Sequence, residues 1–125
     1  MTIMLIGEAW GEKEEETGRP FSGTAGFLLD QMLAQTGIAR SECYITNVFN
    51  LRPKPSNDVR NLCGTQAEGI PGLPPLQRGK YVLRKYQSEL DRLYAEIRTA
   101  NPNIIITHPT HTKLIPGNTI ASNTI

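Results

Sequence analysis

Three short apolar runs constrain what this chain of 125 residues can fold into. The run at residues 3–6 stops at Gly7, residues 43–48 are rich in β-branched and aromatic side chains, and residues 103–107 repeat isoleucine. Short apolar runs bounded by turn residues predict strands that are buried on both faces. Strands of this kind occur in parallel sheets that helices cover, so the runs indicate an α/β fold.

Two amphipathic segments separate these runs. Between residues 24 and 36, apolar side chains recur at spacings of three and four, with Thr24 as the expected N-cap and Gly37 as the expected end. Residues 81–100 carry a longer apolar stripe, and Pro102 ends it. The alternation of strands and helices predicts right-handed crossovers. We therefore expect a three-layer α/β/α fold with a central parallel sheet.

Three segments lack a regular period. Residues 8–23 are predicted to be loop, and residues 49–80 contain five prolines, which disfavour a regular helix or a central strand near either end of the segment. Residues 108–125 fit neither a helix nor a strand, where a doubly wound domain needs both. We therefore expect a partial α/β domain over residues 1–107, incomplete at its C-terminus, and an irregular tail over residues 108–125. An altered end, or a fragment of a longer protein, is the alternative interpretation of that tail.

Composition excludes several function classes. A formal net charge of +1 neither indicates a broad basic surface nor excludes nucleic acid. The two cysteines form no CxxC pair, so a zinc or iron–sulfur site made by this chain alone is not expected. No apolar stretch approaches the roughly 20 residues that a membrane span requires. These observations favour a cytoplasmic protein with no membrane partner and with free thiols, a disulfide being the alternative. We also expect a monomer.

Polar side chains follow the first two predicted strands. Ligands bind beyond the carboxyl edge of a parallel sheet, so the turn 7–12 and Asn47 are placed to form a site. If the two strands are neighbours, Glu8 and Asn47 open into one cleft, and the loop 18–23 brings Phe21 to it. An aromatic ring stacks on a flat heterocycle, an amide pairs with its edge, and a carboxylate orients water or stabilises a developing cation.

Three ordered motifs resemble the uracil-DNA glycosylase superfamily, nearest its family 4 and the related phage-type proteins. They are GEAWG at residues 7–11, TGRPFSGTAG at residues 17–26 and YITNVFNLRP at residues 44–53. The resemblance spans about residues 3–107 and is dense only in the first half. It implies an enzyme that hydrolyses the N-glycosidic bond of uracil, or of a related pyrimidine, in DNA after flipping the base, as in base-excision repair. The implied partner is uracil-containing or single-stranded DNA.

The resemblance also implies roles for individual residues. Phe21 would stack on the flipped base, Asn47 would hydrogen-bond the uracil edge, and Glu8 would position water or stabilise the cationic sugar. The implied pocket lining is Gly7, Ala9, Trp10 and Gly11, and the candidates for phosphate contacts are Arg52 and Lys54.

The sequence departs from the family pattern at three places. Trp10 stands where the pattern has proline, which changes the pocket wall. Leu51 stands where the family has a cysteine, and the chain begins after the family's N-terminal cysteine pair, so we expect no iron–sulfur cluster and no cofactor. Residues 108–110 are similar in sequence to the family's C-terminal histidine motif. They come directly after the third strand, so we interpret the similarity as coincidence. We also expect His111 to be exposed. An inactive nucleic-acid or nucleobase-binding module is therefore the alternative function.

Overall fold

The computed structural model describes residues 2–19, 21–117 and 119–122. In chain order the strands and α-helices are β1 (Ile3–Ala9), α1 (Glu12–Thr17), α2 (Thr24–Thr36), β2 (Cys43–Phe49), β3 (Cys63–Gly64), β4 (Tyr81–Val82), α3 (Gln87–Ala100), β5 (Ile104–Thr107) and β6 (Thr119–Ala121). Short 3₁₀ helices lie at Arg40–Glu42, Val59–Leu62, Gln66–Glu68, Arg84–Tyr86 and Pro109–Leu114. Within the part of the chain that is described, no helix is long and apolar enough to cross a membrane.

The central sheet has four strands in the order β2-β1-β5-β6, and every neighbouring pair is parallel. Strands β3 and β4 form a separate antiparallel pair. The apolar runs at residues 3–6, 43–48 and 103–107 thus become the three longest strands of the central sheet, as predicted. The predicted α/β fold with a central parallel sheet is confirmed.

Both faces of the sheet are covered by helices. On one face Met4 and Ile6 belong to a core cluster with Leu90 and Leu93 of α3. On the other face Leu5 belongs to a second cluster with Leu29 of α2. Because successive side chains of a strand point to opposite faces, the continuous apolar run of β1 supplies both clusters. The result is three layers, with α2 and α3 on opposite sides of the sheet.

The helices differ from their predictions in two places, which are the N-cap of α2 and the start of α3. α2 has the predicted bounds and ends at Gly37 in the left-handed conformation, although Gly23 occupies the N-cap position. α3 begins at Gln87 and not at Tyr81, because Tyr81–Val82 pairs with Cys63–Gly64 instead. Val82 is 1% exposed, so its burial in that pairing outweighs the helical spacing of the sequence.

Two segments that were predicted to be irregular contain regular structure. α1 lies within the predicted loop 8–23, and none of its side chains is buried, so no apolar period marks it. In the tail, Thr119–Ala121 adds a fourth parallel strand beside β5, so the expectation that residues 108–125 are wholly irregular is wrong. A strand of three residues with Ile120 exposed is too short to show an alternating pattern. Residues 118 and 123–125 of that tail lie outside the described residues.

Candidate functional site

Gly7 is the point where two predicted site residues meet. The register of the sheet pairs Gly7 of β1 with Asn47 of β2. A β-carbon added to Gly7 would lie 2.3 Å from Asn47 Oδ1 and 2.5 Å from Phe21 Cζ. Both distances are far below van der Waals contact, so only glycine leaves room for this arrangement. Asn47 is 3% exposed and Phe21 is 7% exposed, so the amide and the ring form a buried pair above Gly7.

The backbone of Phe21 is held in an unusual conformation. Its φ of 56° lies in the left-handed region, which non-glycine residues seldom adopt. Arg40 Nη2 donates a hydrogen bond to Phe21 O at 2.5 Å. A β-carbon on Gly26 would lie 1.6 Å from the same oxygen, so α2 packs directly against this carbonyl. Strained backbone persists where the surrounding structure fixes it. Here it places the Phe21 ring against Gly7.

Glu14 fixes the loop that carries Phe21. Its carboxylate accepts hydrogen bonds from the backbone N–H groups of Gly11 (3.0 Å), Ser22 (2.8 Å) and Gly23 (2.7 Å). Burial by itself would raise the pKa of Glu14, but the bonds from Gly11, Gly23 and the Ser22 side chain lower that pKa below its ordinary value. The sequence predicts only a loop over residues 8–23 and misses this role.

Asn47 has an unpaired polar group. Within the described residues, its Nδ2 is buried and has no hydrogen-bond partner. A buried amide donor without a partner costs about 1–3 kcal/mol. An acceptor on a bound ligand would remove that cost.

Arg92 of α3 braces the strand that carries Asn47. Its Nη2 donates to the backbone carbonyl oxygens of Asn47 (2.9 Å) and Val48 (2.8 Å). Glu96 accepts from Arg92 and, at 2.9 Å, from Thr46 Oγ1. Because β2 is an edge strand, it has a neighbouring strand on one side only, and α3 supplies further hydrogen bonds to its carbonyl oxygens. The backbone of Asn47 is therefore fixed from both sides.

The Glu8 side chain lies on the opposite face of the sheet from Phe21. It follows Gly7 directly in β1, so its side chain points to the face of Met4 and Ile6 and not to the side of Phe21. Its Oε2 lies 3.0 Å from Nε2 of His111. The structure thus brings Phe21 and Asn47 together on one face of the sheet and places the Glu8 side chain on the other face, at the carboxyl end of β1 and turned toward His111.

His111 contacts a candidate site residue, Glu8, a contact that the sequence does not reveal. It is 0% exposed, so the prediction that it is exposed is wrong. The 3₁₀ helix Pro109–Leu114 turns its imidazole inward, together with the buried Leu114. A single histidine in a polar segment carries no periodic signal, so only the folded chain shows where it goes.

The three remaining lining candidates continue from the end of β1. Ala9 is the last residue of that strand and packs against the first core cluster. Trp10 N donates to Leu51 O at 3.0 Å, and its indole Nε1 is buried without a partner in the described chain. Gly11 is the N-cap of α1. These residues link the end of β1 to the loop after β2.

The two candidates for phosphate contacts lie in the loop after β2. Arg52 Nε donates to Asn57 Oδ1 at 2.8 Å, and Lys54 Nζ lies 3.3 Å from Glu15 Oε2. The Lys54 side chain is 66% exposed, so water screens this ion pair. Beside the Phe21 loop, a cleft of about 480 Å³ is lined by two arginines and four other residues, which are Arg19, Arg40, Ser22, Ser41, Cys43 and Ile45.

The cysteines do not fit an iron–sulfur cluster. Leu51, at the position of a family cysteine, packs against the core, and both Cys43 and Cys63 are free thiols. Burial raises the pKa of each thiol, which disfavours the thiolate that a cluster needs. Residues 2–19, 21–117 and 119–122 contain no group of three or more acidic, cysteine or histidine side chains that could hold a metal ion.

The chain is similar to known proteins of one superfamily. The model of a family described as the uracil DNA glycosylase superfamily matches residues 1–116. The type-4 uracil-DNA glycosylase of Thermotoga maritima is 44% identical over 66 residues, which are 50% of this chain and 34% of that protein. The type-4 enzymes of Pyrobaculum aerophilum and Archaeoglobus fulgidus are each 48% identical, over 59 and 56 residues, which are 47% and 45% of this chain and 30% and 28% of those proteins.

These matches confirm the resemblance to family 4. The aligned segments span about a third of the length of these curated relatives. The family match covers most of the chain and includes Gly7 and the two residues that contact it, Phe21 and Asn47. The chain therefore belongs to the uracil DNA glycosylase superfamily.

Proposed function

We propose that this protein removes uracil, or a closely related pyrimidine, from DNA by hydrolysing the N-glycosidic bond. The observation that carries the proposal is the buried Asn47 carboxamide, whose Nδ2 lacks a partner in the described chain while its oxygen lies against Gly7. A nucleobase carbonyl is an acceptor that would pair with Nδ2. Phe21, fixed beside the amide, offers a face or edge to a flat ring.

Uracil matches the chemistry of this pair. Its pairing edge alternates carbonyl oxygen, N–H and carbonyl oxygen, so one carboxamide can donate to an oxygen and accept from the N–H. The backbone at Gly7 brings no side chain into the space. The similar proteins of Thermotoga maritima and Pyrobaculum aerophilum are type-4 uracil-DNA glycosylases, which supports the same substrate.

The reaction needs stabilisation of charge on both sides of the breaking bond. The base leaves with the bonding electrons, and the Asn47 amide would stabilise the negative charge on its carbonyl oxygen. The sugar becomes cationic at C1′, and the Glu8 carboxylate would stabilise that charge or orient the water whose oxygen bonds to C1′. The Glu8 side chain is 38% exposed, so solvent and substrate can reach it.

DNA would bind around this site through its phosphates. The base has to leave the stack, at a cost of roughly a few kcal/mol that is smallest for single-stranded DNA. Arg52 and Lys54 are the proposed phosphate contacts, since an exposed pair such as Lys54–Glu15 exchanges partners at little cost. Base flipping, a phage-type relationship and a cytoplasmic monomer stay predictions of the sequence.

A second candidate function is a pocket that binds the base without hydrolysis. Trp10 favours it, because a half-buried indole at a proline position of the family pattern changes the wall of the proposed pocket. Such a protein would hold uracil-containing DNA at low salt and release no base.

A base-release assay tests the proposal. The chain is incubated with single-stranded and duplex oligonucleotides that contain one uracil, and abasic sites are revealed by alkali. We expect release, and we expect Asn47→Ala to slow it by about a hundredfold or more. Asn61→Ala, which removes an exposed carboxamide elsewhere, is the matched control and keeps the wild-type rate. Binding without release by the wild-type chain would favour the second candidate, and neither binding nor release would refute both.

A further inference from the structure

The contact between Glu8 and His111 joins residues that are 103 positions apart in the chain. Glu8 stands at the carboxyl end of β1, and His111 lies in the 3₁₀ helix that follows β5. The imidazole is 0% exposed, whereas the Glu8 side chain is 38% exposed. One partner is therefore fixed inside the core and the other reaches toward solvent.

The hydrogen bond fixes the form of the imidazole. Nε2 faces the carboxylate at 3.0 Å, and Nδ1 is buried without a partner in the described chain. With the proton on Nε2, the ring donates to Glu8 and leaves only a lone pair unpaired at Nδ1. A hydrogen on Nε2 that points to the Glu8 carboxylate is the arrangement that the geometry favours.

The segment that carries His111 is anchored independently of Glu8. Leu114 and Ile115 are buried in the core cluster of α3, at 2% and 4% exposure. Tyr94 of α3 donates its hydroxyl to Leu114 O at 2.7 Å. The imidazole is therefore held in place by packing, and it can hold the more exposed carboxylate in turn.

We propose that His111 is a positioning residue for Glu8. It binds one carboxylate oxygen, Oε2, and so fixes the orientation in which the other oxygen would meet the sugar and the attacking water of the proposed function. The proposal rests on that function. Because the ring itself is fully buried, it acts through Glu8 and does not touch DNA.

The neighbouring histidine does not share this role. His108 is half-buried, and its Nδ1 accepts from Thr110 N at 3.2 Å within its own turn. The segment His108–Thr110 is similar in sequence to the family's C-terminal histidine motif. The imidazole that contacts Glu8, however, belongs to His111, three residues further along the chain.

Single-turnover base release tests the positioning role. His111→Leu keeps the bulk of the ring but loses the donor, and we expect it to slow release by about tenfold to a hundredfold, because small misplacements of a reacting group cost rates of that order. His111→Gln, which places an N–H near the position of Nε2, recovers most of the rate. In a Glu8→Ala background, His111→Leu has no further effect. DNA affinity stays at the wild-type level in all of these variants.

Two further measurements separate positioning from loss of structure. Lys113→Met changes an exposed side chain of the same 3₁₀ helix as His111, and we expect it to leave the release rate unchanged. Urea unfolding of wild type, Glu8→Ala, His111→Leu and the double variant tests the contact without any activity. A non-additive change of more than about twofold in the unfolding equilibrium constant is expected for a direct contact.

The outcomes distinguish this proposal from the proposed function. An active wild-type chain whose His111→Leu variant is equally active, or is slowed as much in the Glu8→Ala background, would overturn the positioning role alone. Additive unfolding changes would overturn the contact itself. A wild-type chain that releases no base would remove the proposed function and the positioning role with it, whatever the unfolding data show.

Discussion

The carboxamide oxygen of Asn47 occupies the space that a β-carbon on Gly7 would need, 2.3 Å from its position. The two residues are register partners on adjacent parallel strands, so the contact follows from the sheet itself. Phe21 completes the arrangement from a loop whose backbone is fixed in the left-handed region. The proposed base-binding site therefore depends on one position without a side chain.

Gly7→Ala is expected to abolish base release and to lower the free energy of unfolding by about 1–3 kcal/mol, the usual cost of overpacking. The added methyl group meets Asn47 Oδ1 and Phe21 Cζ. Urea unfolding and the release assay measure the two effects. In an Asn47→Ala background the same substitution destabilises less, because one of the two clashes is gone. Wild-type activity in Gly7→Ala would contradict the arrangement.

Glu14→Gln is expected to loosen the loop that carries Phe21. A glutamine presents one acceptor oxygen and an NH₂ group to the backbone donors of Gly11, Ser22 and Gly23. Loss of a charge-assisted bond lowers the free energy of unfolding by about 1–3 kcal/mol. Glu16→Gln changes an exposed carboxylate of the same helix and serves as the control. Equal free energies of unfolding for the two variants would show that the Glu14 carboxylate does not stabilise the loop that carries Phe21.

The contribution of Glu14 to stability should depend on pH. Its pKa in the folded chain lies below the ordinary value of 4.5, so the folded state binds a proton less readily than the unfolded state. The stabilisation is present above pH 4.5 and is lost as the pH falls through the folded pKa. The difference in unfolding free energy between wild type and Glu14→Gln should shrink over that range, and a constant difference would contradict the assignment.

Arg92→Met is expected to slow base release and to lower the free energy of unfolding by about 1–3 kcal/mol. It removes the donors for the carbonyls of Asn47 and Val48 and leaves Glu96 without its cation. Arg98→Met removes an exposed arginine from the same helix and should change neither quantity. If both variants behave alike, Arg92 does not brace the strand of Asn47.

The sequence predicts the parts of the fold that local patterns encode. The apolar runs become β1, β2 and β5, and the spacing of apolar residues gives the bounds of α2. The resemblance to the family singles out Phe21 and Asn47, which the register brings together above Gly7. The spacing of apolar residues and the order of the segments are properties of the sequence itself, so they predict these elements without knowledge of tertiary contacts.

Other features arise only from contacts between distant segments. His111 reaches Glu8 across 103 positions, and Glu14 is satisfied by N–H groups from two loops. β6 becomes a strand because β5 offers it a free edge, and not because of its own composition. None of these three features leaves a periodic trace, so sequence patterns cannot reveal them.

The central claim is that Asn47 donates to a pyrimidine held above Gly7, and the side-chain NH₂ signals of Asn47 test it most directly. Uracil is titrated into the ¹⁵N-labelled chain, and the Asn47 signals are identified by their loss in Asn47→Ala. We predict that these signals move and saturate as uracil is added, while the side-chain signals of Asn61 stay in place. Uracil binding that leaves the Asn47 signals unchanged would contradict the account.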